Sequence, residues 1–178
     1  KLNLMNRKHF RHLMILLILV SISLSSLAQG FRVEGRKIFD PNGEEFIIRG
    51  VNNMHVWHYR KAFKALERFK SYNMNSVRVV WEASANVSKL DNVLEECLEN
   101  KLIPIVEMHD ATGDTSMESL MQIVDFYTSE KTKKILMPFD DKMLLNIANE
   151  WGDHTTTAEY WKKAYLKAVS ELREAGYR

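Results

Sequence analysis

With one cysteine in 178 residues, two possibilities fall away at the outset. Cys97 has no partner for an intrachain disulfide, and no site built from several thiolates is available to a metal. Lying in a stretch of helical periodicity, it reads as a small buried apolar residue. No glycine-rich loop follows the first strand-like run, so the usual cradle for a phosphate is missing. No HxH or HExxH spacing pairs two histidines for a metal. Positive charge is also short once its location is considered. Lys1, Arg7, Lys8 and Arg11 fall in the first 28 positions, which hold no acid, and without them the formal net charge turns from +2 to −2. The remainder has no clustered cationic face of the kind that nucleic acid requires.

Those first residues have a pattern of their own. Residues 5–11 are basic, 13–24 are mostly apolar, and Ser26-Leu27-Ala28 is a small-residue cleavage site. Residues 1–28 are therefore expected to be a secretion signal, with the mature chain starting near Gln29 and acting outside the cell or in a periplasm. The signal is complete from Met5, so Lys1 to Leu4 are expected to be upstream translated sequence or a fragment edge. The apolar core is shorter than the roughly 20 residues of a spanning helix, which disfavours a retained anchor and any membrane association after cleavage.

From Gly30 the chain reads as one domain without linker or low-complexity tract. FRVEGRKIFDPNGEEF gives two short alternating runs and a Pro41-Asn42-Gly43 turn, hairpin chemistry leading into a strand. Strands are predicted at 46–50, 76–81, 103–108 and 143–148. Between and after them the spacing predicts helices over 60–72 and 88–100, one opening at Ser116, and one following Thr155-Thr156-Thr157 that Gly176 stops. Four strand–helix units in succession imply right-handed crossovers and a parallel sheet.

Each predicted strand ends in residues that a packed core would not choose. The first gives Asn52, Asn53, His55 and Trp57; the second carries Arg78; the third gives Glu107, His109 and Asp110; the fourth gives Asn149, Glu150 and Trp151. In α/β barrels and doubly wound sheets the carboxyl ends of the strands are where chemistry sits. Singly, each residue has an ordinary reading: Arg78 pairing with a structural carboxylate, His109 capping a loop, Asn52 making a turn, and LLNIANEWG a buried strand before a capped loop. Together they supply carboxylates, a cation, a histidine and tryptophans, without a nucleophilic serine or cysteine. Asn149 offers an amide to a substrate hydroxyl, Glu150 a carboxyl that exchanges protons, and Trp151 an apolar face for a sugar ring. His55, His58, His109 and Asp110 as metal ligands are the competing arrangement, and His154 reads as solvated.

The motifs G-F-x-V-x-G, D-x-N-G-x-x-F-x-x-R-G-V-N-x-x-H-x-W, N-S-V-R-V-V, V-E-M-H-D-A-T-G-D and N-I-A-N-E-W resemble glycoside hydrolase family 5, most of all its bacterial β-mannanases. The likeness runs from Gly30 to Arg178. It implies a (β/α)₈ TIM barrel, present here as an N-terminal hairpin plus about four βα units, since a whole barrel takes about 250 residues. It further implies that Glu150 is the general acid/base, assisted by Asn149, with Arg78 and His109 in the catalytic surroundings. Asn52, His55 and Trp57, with Trp151, would line the sugar cleft. The implied activity is retaining endo-hydrolysis of β-1,4-mannan by a monomer without metal or cofactor, the nucleophile being a second glutamate beyond Arg178. The alternatives are an endo-β-1,4-glucanase of the same family, or a carbohydrate-binding protein without catalysis; as written, the chain is expected to be inactive.

Overall fold

The computed structural model describes residues 30–178, so the expected secretion signal lies outside the described residues. A two-stranded antiparallel hairpin, β1 (Arg32–Glu34) and β2 (Lys37–Phe39), precedes a four-stranded sheet. That sheet is β3 (Gly50–Asn53), β4 (Ser76–Trp81), β5 (Ile103–Met108) and β6 (Leu144–Asn146), all parallel and in sequence order. The helices are α1 (His55–Ser71), α2 (Val87–Glu99), α3 (Met117–Thr128), α4 (Glu130–Leu136) and α5 (Ala158–Glu174). Among these described residues no helix is long and apolar enough to cross a membrane.

The register divides the sheet into two faces. Paired rows put Val77, Val79, Trp81, Val106 and Met108 on one side, where all five are buried under the helices. Each such side chain contributes about 1.5–3 kcal/mol through its burial. The helices answer with their own apolar stripes, Leu90, Val93, Leu94 and Cys97 from α2 and Leu120, Ile123, Val124 and Tyr127 from α3. Burial pushes the Cys97 thiol up to about 12, so the side chain stays neutral and apolar, as its spacing implied. The other face carries Asn52, Arg78, Ile105 and Leu144 in one row and Val80, Glu107 and Asn146 in the next.

Helix ends follow local chemistry. Asn86, Ser116 and Thr157 each accept an N–H of the first turn of α2, α3 and α5, a cap worth about 1 kcal/mol. At the other end α1, α2 and α5 close alike. Met74 N–H reaches Phe69 O, Leu102 reaches Cys97 O and Tyr177 reaches Leu172 O, with Asn73, Lys101 and Gly176 in the left-handed region between.

Three expectations change. The strand predicted at 46–50 is displaced to Gly50–Asn53: Ile47 and Ile48 are 60 % and 46 % exposed, and the Asn75 side chain holds the backbone of Ile47 and Arg49 outside the ladder. Gly50 is obligatory there, because a Cβ would lie 2.3 Å from Ser76 O on β4. The first helix begins five residues early, at His55, with a kink at His58. The last strand shrinks to three residues, all paired with β5, and α4 is an element that periodicity did not reveal.

Candidate active site

Arg78 is the hub. It rises from the middle of β4 on the face opposite the helices, and its guanidinium is engaged on every nitrogen. Nε donates to Asn146 Oδ1 at 2.8 Å, Nη2 donates to Asn149 Oδ1 at 2.8 Å, and Nη1 lies 3.5 Å from Glu107 Oε2. Glu107 is completely buried, and its Oε1 sits 3.1 Å from His109 Nδ1. Burial pushes the Glu107 carboxyl above the usual glutamate range, against the pull of Arg78 and His109. Three strands thus contribute to one network running Asn149, Arg78, Glu107, His109.

A second group borders it. Trp57 is half-exposed, packs edge-on against the His109 ring with centroids 5.0 Å apart, and donates its indole N–H to Glu82 at 2.8 Å. Asp110 accepts the Ala83 N–H with both oxygens, and burial raises its pKa despite that bond. Asn52 is exposed in the row of Arg78. Asp110 was expected at this rim, whereas Glu82 was not. The signal for Glu82 was available, since it directly follows the strand ending at Trp81.

Glu150 stands at the exposed tip beyond β6, with φ at +43°, in the left-handed region that non-glycine residues rarely adopt. Its neighbour Asn149 is nearly buried; its backbone N–H bonds Met108 O and its Nδ2 donates to Thr112 Oγ1 at 2.8 Å. Both ends of the amide are therefore fixed, and the assignment of oxygen toward Arg78 agrees with both partners.

Two expected cleft residues lie elsewhere. Trp151 is only 3 % exposed: its indole N–H donates to Ser116 O, and its ring packs against Tyr160 and Tyr165 of α5, so it anchors the loop rather than offering a platform. His55 is fully buried as well. Its Nδ1 faces the Asn53 carbonyl, which only accepts, so Nδ1 carries the proton and Nε2 is left without a partner. Among the described residues no three His, Cys, Asp or Glu side chains group to hold a metal ion.

The sequence model described as Cellulase (glycosyl hydrolase family 5) matches residues 39–178. This chain belongs to glycosyl hydrolase family 5. It is 34 % identical over 154 residues to a mannan endo-1,4-β-mannosidase of Salipaludibacillus agaradhaerens, covering 83 % of this chain and 48 % of that protein. Against the mannan endo-1,4-β-mannosidase of Cellvibrio japonicus (strain Ueda107) the identity is 30 % over 169 residues, 90 % of this chain and 38 % of the relative. The chain thus spans less than half the length of these relatives. In fold it resembles a GH5 cellulase from an Icelandic hot spring isolate, with a TM-score of 0.61 and 21 % identity over 86 % of this chain and 51 % of that one. It also resembles the β-mannanase of the blue mussel Mytilus edulis, with a TM-score of 0.57 and 15 % identity over 83 % and 61 %. The hairpin and four βα units are part of the family's (β/α)₈ barrel.

Proposed function

We propose that the whole protein is a secreted, retaining endo-β-1,4-mannanase in which Glu150 is the general acid/base. The observation that carries this reading is the disposition of Glu150. It is the one rim carboxylate among the described residues that is exposed and engages no side-chain hydrogen bond, and it stands directly after an Asn149 locked by Arg78 and Thr112. The relatives named as mannan endo-1,4-β-mannosidases favour mannan over glucan as the substrate class.

A retaining glycosidase needs two carboxyls about 5–5.5 Å apart, one attacking the anomeric carbon and one protonating the leaving oxygen. Glu150 supplies the second. None of the other rim carboxylates is free for the first: Glu107 is buried between Arg78 and His109, Glu82 holds the Trp57 indole, and Asp110 holds the Ala83 N–H. The nucleophile is then a carboxylate that the four described strands do not contribute, and residues 30–178 alone do not complete the double displacement. Asn149, with one N–H beyond the bond to Thr112, binds the hydroxyl next to the reacting carbon, an interaction that strengthens as charge develops. Trp57 and Asn52 border the cleft, and Arg78 supplies positive charge beneath it.

The test is Glu150→Gln in the protein expressed from its complete coding sequence. Mannan hydrolysis should fall by about 10²–10⁴-fold, the usual worth of a positioned acid, with substrate binding little changed. Formation of the glycosyl-enzyme from a substrate with an activated leaving group should suffer less, because that group needs no proton. Near-normal mannan hydrolysis by the variant would remove Glu150 from the mechanism.

A further inference from the structure

The loop between β5 and α3 touches the segment around Glu150 at four points, only one of which, at Trp151, belongs to a core side chain. Thr112 Oγ1 accepts Asn149 Nδ2 at 2.8 Å. Gly113 N–H donates to Glu150 O at 3.0 Å, and Gly152 N–H donates to Asp114 O at 2.7 Å. Trp151 Nε1 donates to Ser116 O at 3.0 Å. Residues 149–152 are thus each bonded, one after another, to residues 112–116.

Such a clip has a physical purpose. The left-handed backbone of Glu150 is a conformation that costs a non-glycine residue about 1–2 kcal/mol and persists only where its surroundings impose it. The bonds from Gly113 and Gly152 bracket that residue on both sides. The Asn149 side chain presents a parallel problem. Arg78 holds its oxygen but leaves its nitrogen to choose among partners; Thr112 removes that choice, and its own hydroxyl proton points to His109 O at 3.4 Å. Thr112 is itself exposed, so the hydroxyl is not there to fill space.

We infer that Thr112 is a positioning residue for the hydrolytic reaction, fixing the amide plane of Asn149 so that its remaining N–H meets the substrate hydroxyl beside the anomeric carbon. The inference rests on the function proposed above. It assigns to the β5–α3 loop the task of setting both the angle of the amide and the backbone of the acid.

The experiment compares Thr112→Val, Thr112→Ser and Glu150→Gln, all made in the protein expressed from its complete coding sequence. Valine keeps the shape and removes the hydroxyl. It should lower kcat on mannan by about tenfold, the size of one ordinary hydrogen bond, while KM stays within about twofold. Serine should restore kcat. On an aryl 2-deoxy-β-mannoside, which lacks the hydroxyl in question, the loss from Thr112→Val should shrink, and in an Asn149→Ala background the valine should add nothing further. Far-UV circular dichroism and thermal melting separate misfolding from mispositioning. Should the valine variant misfold, the serine and Asn149→Ala variants on the two substrates still decide, because a serine as weak as Asn149→Ala would overturn the inference. A wild-type kcat for Thr112→Val beside an inactive Glu150→Gln overturns the inference and leaves the proposed function standing. Activity in Glu150→Gln would instead overturn the function itself.

Discussion

The two faces of the four-stranded sheet use the same backbone for opposite ends. Toward the helices, Val77, Val79, Trp81, Val106 and Met108 are sealed from solvent. Toward the other side the same strands present Asn52, Arg78, Glu107 and Asn146; Ile103, Ile105 and Leu144 remain part-exposed there, while Val80 and Glu107 are buried. A single strand such as β4 carries both, because successive side chains point to opposite faces. The stability of the sheet and the chemistry of its rim are therefore separable by parity, one residue apart.

That separation can be broken by mutation. The largest effect is expected at Met108, where truncation to alanine should cost about 2–5 kcal/mol of unfolding free energy in chemical denaturation. Ile105→Ala, on the opposite face and part-exposed, should cost less than half as much. Equal losses would mean that the second face is sealed as tightly as the first, and the contrast would collapse.

A smaller effect concerns charge under the helices. Burial drives the pKa of His55, at the start of α1, down to about 4, while an unfolded chain titrates near 6.5. Between those values the unfolded state holds a proton that the native state refuses. Stability is therefore intact above about pH 6.5 and declines as the pH falls toward 4, by at most about 3 kcal/mol. Thermal melting across this range should show that slope in the wild type and a flatter one in His55→Leu; parallel slopes would acquit His55. The smallest effect is at Cys97, whose buried thiol should resist a maleimide at neutral pH until the protein unfolds. Rapid labelling of the native chain would show that α2 opens readily.

How much of this was legible in the sequence follows the same division. β4 and β5 read true to the residue because their apolar runs are covered on the helix side and lie centrally in the ladder. Ser116 and Thr157 marked helix starts because capping is local chemistry. β3 was misplaced because its identity comes from its neighbour: Gly50-Val51-Asn52-Asn53 has little strand character until Ser76 and its successors pair with it. Likewise, the rim residues Arg78, His109, Asn149 and Glu150 were picked out by their position within or after apolar runs, but their connections were not. That Glu107 reaches back to Arg78, or that the Trp151 indole turns inward to Ser116, depends on contacts tens of residues apart in sequence. Tryptophan is ambiguous in particular, since its large apolar surface suits a core as well as a binding face.

The three matching stops that close α1, α2 and α5 have a further consequence. All lie at the amino ends of the strands, and all use the same pair of backbone bonds around a left-handed residue, whether that residue is asparagine, lysine or glycine. The turn is thus specified by the main chain more than by any one side chain, and it tolerates substitution. At the other rim every loop differs in length and in the company it keeps. Such a molecule has a uniform floor and an editable ceiling: the upper loops can differ one from another while the turns beneath keep each unit in phase with the next.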